Sequence, residues 1–145
     1  EAVRQWLLIE PELDVQQVGV MGFCMGGRFA LLYGAQAPLA VVAPFYGMVP
    51  PKAEDLQGIC PVVGGWGEKD MIMGKHGKLL NKHLDQLGVE HDVKSYPDAG
   101  HSYMNNHDTF IFRELGDYSP LRSKYNEAAA EDSWERVFAF FNKVL

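Results

Sequence analysis

Residues 18–27 read Val-Gly-Val-Met-Gly-Phe-Cys-Met-Gly-Gly. The apolar first half predicts a buried strand, and the residues from Gly22 onward predict a very tight turn into a helix. In such a turn the central residue, here Cys24, is strained and exposed at the carboxyl end of the strand. Glycines at Gly22 and Gly26 are expected to let strand and helix pack closely. Backbone N–H groups from Met25 onward would lie at a helix N-terminus, where they stabilise a thiolate or an oxyanion. The stretch therefore predicts a nucleophile elbow, although alone it is equally typical of a small buried cysteine in a Gly-rich turn.

The composition favours one globular domain over residues 1–145. The chain is 47% hydrophobic, which is enough for a single core. A net charge of −6 without a run of Lys or Arg argues against a nucleic-acid partner. No apolar stretch approaches the ~18 residues that cross a membrane, and residues 1–9 predict an amphipathic helix rather than a signal peptide. Because one of the two cysteines is expected to be reactive, a disulfide framework is not expected and a reducing cytoplasm fits best.

Strand and helix patterns alternate along the chain. The predicted strands are 16–23, 40–46, 60–66 and 89–96. The predicted helices are 1–9, 25–36 with Phe29, Leu32 and Tyr33 apolar, 75–87, and a closing helix with Trp134, Val137, Phe138, Phe141 and Leu145 on its apolar face. Residues 47–60 are expected to be irregular. The alternation predicts an α/β fold with a mainly parallel sheet flanked by helices.

Two further polar residues follow predicted strands. Asp70 closes the segment Gly-Glu-Lys-Asp, and His101 follows Pro-Asp-Ala-Gly. The carboxyl ends of parallel strands form the crevice of an open α/β sheet, so His101 can reach the Cys24 thiol and Asp70 can hold the second ring N–H of His101. Taken alone, Asp70 is typical of an ordinary turn. The other histidines are expected to be solvent-exposed at His76, His83 and His91, and His107 is a weaker candidate for a substrate contact.

The order Cys24, Asp70, His101 is the nucleophile, acid, base order of α/β-hydrolases. The chain resembles the dienelactone hydrolase (carboxymethylenebutenolidase) family of that fold in five stretches. They read Gly-Val-Met-Gly-Phe-Cys-Met-Gly-Gly-Arg at 19–28, Phe-Tyr-Gly at 45–47, Gly-Glu-Lys-Asp at 67–70, Ala-Gly-His-Ser-Tyr at 99–103 and Tyr-Asn-Glu-Ala-Ala-Ala at 125–130.

The resemblance implies hydrolysis of a small ester or lactone through a thioester, with Cys24 as nucleophile, Asp70 as acid and His101 as base. It also implies an oxyanion-hole N–H at Met25. The implied substrate pocket is lined by Phe23, Tyr46, Ser102 and Asn105. No metal or organic cofactor is implied, and His and Cys are not clustered at the spacing of metal ligands.

The chain departs from the family in two ways. Some members have an arginine where this chain has Asn105, so specificity for dienelactone itself stays open. Everything that the family has before the helix preceding the elbow strand is absent, including the first strands and the loop with the second oxyanion N–H. A partial α/β-hydrolase fold is therefore expected, with an apolar open edge at the elbow strand. A separate chain, the rest of a longer protein or a second copy must cover that edge, and we expect a homodimer.

Two other functions stay open for this sequence. One is a catalytically compromised fragment that acts as a subunit or a binding module. The other is a thiol redox sensor, because an exposed cysteine of low pKa is readily oxidised. Cys60, which precedes a proline at a strand start, is expected to be structural.

Overall fold

The computed structural model describes residues 1–13, 15–106 and 118–145, so the candidate contact at His107 lies outside the described residues. The helices are α1 (Ala2–Ile9), α2 (Met25–Gly34), α3 (His76–Leu87) and α4 (Glu127–Val144). The strands are β1 (Gly19–Phe23), β2 (Val41–Phe45), β3 (Val62–Gly67) and β4 (His91–Tyr96). A short 3₁₀ turn, Ala53–Leu56, interrupts the segment that was expected to be irregular.

The four strands form one parallel sheet in the order β1-β2-β3-β4, which confirms the predicted α/β class. Helices α2 and α3 both contact the 3₁₀ turn, whereas α4 packs against β2, β3 and β4 without contacting α2 or α3. The sheet is therefore covered on both faces, and every residue of β2 and β3 is buried. In the described sheet β1 is an edge strand, as expected.

The apolar face of α4 is only partly where the sequence places it. Val137 is buried, but Phe138 is 61% exposed and Trp134 is 37% exposed. Small residues bring the helix against the sheet instead, and the buried positions are Ala129, Ala130, Ser133, Val137 and Phe140. The side chain of Phe141 reaches Gly19 in β1. Because Trp134 and Phe138 share a helix face with Phe141, this uncovered stripe lies beside the open edge.

The second helix shows the same pattern on the other side of the sheet. Phe29, expected on the apolar face, is 58% exposed, and the helix buries Gly27, Ala30, Leu31 and Gly34 instead. A Cβ at Gly34 would lie 2.3 Å from the Val42 side chain, so α2 approaches β2 through small residues. Helix α2, which packs on β1, and helix α4, whose Phe141 side chain reaches it, thus leave large apolar side chains uncovered.

None of the helices within the described ranges combines the length and the apolar character that a bilayer span requires.

Candidate active site

Cys24 occupies the tight turn between β1 and α2 that the sequence predicts. Its backbone has φ 52° and ψ −119°, and it is the N-cap residue of α2. A non-glycine residue in this region is strained and persists only where its surroundings hold it. The Cys24 N–H donates to the Phe45 carbonyl at 3.0 Å, which ties the turn to the end of β2. The side chain is exposed and unpaired, as a nucleophile requires.

Close backbone approach at the turn requires glycine at two positions. A Cβ at Gly22 would lie 2.1 Å from the Gly26 carbonyl oxygen, and one at Gly47 would lie 2.7 Å from the Cys24 carbonyl oxygen. Neither clash involves a flexible side chain that could move aside. The expectation for Gly26 is wrong, because a Cβ there would meet nothing within 4 Å. The Gly26 carbonyl comes close to Gly22 at the end of the strand, but a side chain at position 26 would point into open space.

Asp70 and His101 are joined at the carboxyl end of the sheet. Oδ2 of Asp70 lies 2.7 Å from Nδ1 of His101, and both side chains are almost completely buried. Because an ionised carboxylate only accepts hydrogen bonds, Nδ1 of His101 carries a proton, and in the neutral ring Nε2 is the acceptor. The other Asp70 oxygen accepts from the N–H groups of Ile72 at 2.9 Å and Met73 at 2.8 Å. Burial raises the pKa of Asp70, but these hydrogen bonds outweigh burial and hold it below its ordinary value.

A backbone segment that sequence reasoning missed supports both residues. The Pro120 carbonyl accepts from the N–H of Met71 at 3.0 Å, and the Leu121 carbonyl accepts from the N–H of His101 at 2.8 Å. One segment thus fixes the loops that carry the acid and the base. It has no sequence signal, because the contacts use carbonyl groups that every residue possesses.

The structure does not join Cys24 to His101 by a hydrogen bond within the described part of the chain. Tyr46 is close to both: its ring centroid lies 5.2 Å from that of His101. Burial, and then the charge of Cys24, raise the pKa of the Tyr46 hydroxyl far above its ordinary value. Catalytic hydrogen bonds are often long or absent without substrate, so the present arrangement is compatible with a thiol–imidazole pair.

The remaining predicted site residues surround this group. Phe23 stacks on Phe45 at 5.7 Å between ring centroids and lies 5.9 Å from the ring of Tyr46. The Tyr46 hydroxyl lies 3.5 Å from Oδ1 of Asn105, which is solvent-exposed. Ser102 is half-buried with φ 56°, and Met25 is the first residue of α2. Since the first N–H groups of a helix have no partner within it, the Met25 N–H is available to a ligand.

None of the three histidines expected to be solvent-exposed is so, and His91 at the start of β4 is half-buried. His83 is buried with 6% of its surface exposed, and His76 is half-buried. Both lie in α3 and bind backbone atoms of the segment after Tyr46. The sequence around His76 and His83 is polar and therefore did not predict their burial.

Cys60, the second cysteine, is partly buried. Burial raises the pKa of the Cys60 thiol to about 11, which suits an unreactive cysteine. Among the residues that the structure describes, no three His, Cys, Asp or Glu side chains converge as a metal site.

The sequence model of the dienelactone hydrolase family matches residues 1–145. A carboxymethylenebutenolidase of Rhodococcus opacus is 33% identical over 145 residues, which cover 91% of this chain and 52% of that protein. The chain spans about half the length of the curated relatives it matches.

Solved structures share the fold at lower identity. One described as m3DLH superposes with a TM-score of 0.77 at 23% identity, covering 99% of this chain and 59% of the other. The carboxylesterase Cest-2923 of Lactobacillus plantarum gives a TM-score of 0.71 at 14% identity, covering 99% and 66%. The α/β-hydrolase MGS-M1 from a deep-sea metagenome library gives a TM-score of 0.67 at 11% identity, covering 91% of this chain and 56% of the other, so the present sheet is a part of that fold.

Proposed function

Because the chain belongs to the dienelactone hydrolase family, we propose that it hydrolyses carboxylic esters or lactones with Cys24, Asp70 and His101 as its catalytic residues. The observation that carries the proposal is the buried 2.7 Å contact between Asp70 Oδ2 and His101 Nδ1, together with a strained, exposed cysteine at the same end of the parallel sheet. A buried acid that orients an imidazole next to a nucleophile is the arrangement of acyl-transfer enzymes.

In the proposed reaction Asp70 keeps the His101 ring in the tautomer with a free Nε2. His101 takes the proton of the Cys24 thiol, and the thiolate adds to the substrate carbonyl carbon. The tetrahedral oxyanion accepts a hydrogen bond from the Met25 N–H at the start of α2. The intermediate collapses to a thioester, and the leaving alkoxide takes the proton from His101. Water, deprotonated by His101, then hydrolyses the thioester to the acid and the free thiol.

A second oxyanion donor is proposed to come from outside residues 1–145, since the relatives are about twice as long. Loss of one such donor costs on the order of 10²–10³ in rate. The chain by itself should therefore be a slow esterase.

The pocket side chains support an uncharged substrate. Tyr46 and Asn105 offer a hydroxyl and an amide, which donate and accept hydrogen bonds without charge. Phe23 adds an aromatic surface. We propose a small neutral ester or lactone rather than a carboxylate-bearing one as the preferred substrate.

The open edge of β1 supports the binding of a partner, and we propose that this partner is a second copy of this chain. Phe29 of α2 and Phe138 of α4 are exposed apolar rings that a symmetric dimer across this edge would bury. Light scattering at micromolar concentration should give the mass of a dimer. Phe138→Asp should dissociate it, whereas Met71→Asp, at an exposed residue that follows β3, should not. A folded wild-type monomer would exclude the dimer and leave the missing half of the family fold as the partner.

The cytoplasm is the proposed location of the protein. Cys24 and Cys60 are both unpaired, which fits a reducing compartment.

The experiment that tests the enzyme function is turnover of a p-nitrophenyl ester by four matched proteins. Wild type and Cys60→Ala should hydrolyse the ester, and Cys24→Ala and His101→Ala should lose turnover. Turnover that survives Cys24→Ala excludes the proposed nucleophile.

The exposed, unpaired Cys24 also supports two alternatives, an incomplete fragment and a redox sensor. Rapid alkylation of Cys24 without any ester turnover would favour them. Mass spectrometry after dilute peroxide tests the sensor, which requires a sulfenic acid at Cys24 that a thiol reverses; its absence would exclude the sensor and leave the fragment.

A further inference from the structure

Three side chains hold the segment 47–50, here called the clamped loop, by its backbone. Trp66 Nε1 donates to the Gly47 carbonyl at 2.9 Å, and the Val49 N–H donates to Nδ1 of His76 at 3.1 Å. Nε2 of His83 lies 3.1 Å from the Pro50 carbonyl oxygen. Because a carbonyl only accepts, this His83 nitrogen carries the proton. The two histidines are seven residues apart, so both lie on the same face of α3.

The clamped loop directly follows a strained residue. Tyr46 has φ 39°, a conformation that non-glycine residues rarely adopt. Strain of this kind persists only where neighbouring contacts over-determine the backbone. The Tyr46 N–H is fixed on one side by the Gly65 carbonyl at 2.9 Å. On the other side, the contacts that fix the chain are those of the clamped loop.

Tyr46 in turn packs against His101, one of the proposed catalytic residues. Its ring is 5.2 Å from His101 and 5.9 Å from Phe23, and its hydroxyl is 3.5 Å from Asn105 Oδ1. A shift of the Tyr46 backbone would therefore move one wall of the pocket and the packing of His101 together.

The environment of His83 indicates that its hydrogen bond to the Pro50 carbonyl does more than fill space. Nδ1 of His83 is buried and has no hydrogen-bond partner within the described ranges. An unsatisfied buried acceptor destabilises the fold. An apolar residue at position 83 would therefore give a more stable protein if filling space were its only role. What His83 supplies and an apolar residue cannot is the donor to the Pro50 carbonyl.

We propose that His76 and His83 are positioning residues that hold the clamped loop and thereby fix Tyr46 against His101 in the catalytic site. The proposal rests on the ester hydrolase function proposed above. Neither histidine touches the reacting atoms, and both act through Tyr46.

The His76 contact also makes the clamp sensitive to acid. Nδ1 of His76 accepts from the Val49 N–H only while it is unprotonated. After protonation Nδ1–H and the Val49 N–H are both donors, so the hydrogen bond is lost. Burial and the Arg28 guanidinium lower the pKa of His76, and the Asp70 carboxylate opposes them; the net pKa lies below the ordinary 6.5. The contact is therefore intact at neutral pH and is lost as pH falls below 6.5 through the pKa of the folded protein.

The test compares truncation with mimicry at each histidine. In His76→Asn the amide oxygen replaces the Nδ1 acceptor but does not titrate, and in His83→Gln the amide nitrogen replaces the Nε2 donor. We expect His76→Ala and His83→Ala to raise KM and lower kcat, with kcat/KM for a p-nitrophenyl ester falling about tenfold to a hundredfold. The Asn and Gln variants should recover most of this loss at neutral pH. The acid limb of the activity profile should be shallower in His76→Asn than in wild type.

His91→Ala is the matched control. His91 is also half-buried and bound to a backbone carbonyl, that of Val89 at 2.8 Å, but it begins β4 at the opposite end of the sheet. Its kinetics should equal those of wild type. A merely structural role for His76 and His83 would lower the titratable fraction of Cys24 and leave KM unchanged, and that outcome overturns the proposal.

A readout without turnover separates this proposal from the proposed function. The NMR resonances of the Tyr46 ring should shift in both Ala variants and return in the Asn and Gln variants, whether or not the protein cleaves an ester. If wild type shows no turnover but these shifts occur, the hydrolase function fails and the positioning of Tyr46 stands. Unchanged Tyr46 resonances in both Ala variants overturn the positioning role.

Discussion

Oδ2 of Asp70 and Nδ1 of His101 lie 2.7 Å apart, and both side chains are almost completely buried. The pair comes from loops after β3 and β4, two neighbouring parallel strands. Because Asp70 also accepts two backbone N–H groups, its carboxylate cannot rotate away from the imidazole. The geometry fixes one ring tautomer and leaves the other nitrogen for chemistry.

Replacing Asp70 by asparagine should abolish most of the activity. The amide N–H would favour the opposite His101 tautomer, which removes the proton acceptor from the Cys24 side. We expect ester turnover to fall about 10³–10⁴-fold in Asp70→Asn. Asp98→Asn is the control, since the Asp98 side chain is exposed and pairs with the exposed Lys69. Equal turnover by Asp70→Asn and wild type would remove Asp70 from the mechanism.

The lowered pKa of Asp70 predicts a pH dependence of stability. The ionised carboxylate stabilises the fold fully above its unfolded pKa of 3.8, and this contribution disappears as pH falls through the lower pKa of the folded state. Urea unfolding at about pH 5 and about pH 3 should therefore show a larger loss of unfolding free energy in wild type than in Asp70→Asn. Identical losses would mean that other carboxylates account for the acid sensitivity.

Three glycine-to-alanine variants should distinguish the glycines that the close backbone approach requires from one that is only part of the Gly-rich motif. Gly22→Ala and Gly47→Ala place a Cβ within 2.1 Å and 2.7 Å of backbone oxygen atoms. Each should reduce the unfolding free energy by about 2 kcal/mol or more. Gly26→Ala meets nothing within 4 Å and lies in α2, so it should be neutral or stabilising by about 0.4–1 kcal/mol. Chemical denaturation measures all three, and a strongly destabilised Gly26→Ala would contradict the geometry.

The contact between Arg136 and Asp92 should matter far more than a surface ion pair. The guanidinium binds both carboxylate oxygens at 2.9 and 2.5 Å, the Asp92 carbonyl at 2.6 Å and the Tyr96 hydroxyl at 3.0 Å. A lysine cannot reproduce this fork, so Arg136→Lys should cost about 1–3 kcal/mol. Lys143→Ala, which removes an exposed pair with Glu90, should change the unfolding free energy by less than about 1 kcal/mol. Similar costs for both variants would contradict this expectation.

Much of the fold and half of the site follow from the sequence. The strand-turn-helix at Cys24 was predictable because its conformation is imposed locally, by the apolar run and the glycines beside it. The pairing of Asp70 with His101 was predictable because parallel strands bring their carboxyl ends together. Burial of His83 was not, because it depends on a single carbonyl, that of Pro50, on a loop far away in sequence.

The faces of the helices were predicted least well. Apolar spacing in α4 marks every side chain that a neighbour could cover. Phe138 stacks on Trp134 of the same helix but stays 61% exposed. The residues that do meet the sheet include Ala129, Ala130 and Ser133, which periodicity reasoning overlooks because they are small or polar. The apolar periodicity of α4 therefore predicted a wider buried face than the helix has in this part of the fold.

The carbonyl groups of Pro120 and Leu121 have a consequence for the order of folding. The βαβ units can form from contacts that are near in sequence, whereas Met71 and His101 must wait for a segment that follows all four strands. Contacts that close long loops form slowly. In a refolding experiment, the secondary structure should therefore recover before the site does. Catalytic competence would then mark the last step of assembly rather than the appearance of the sheet.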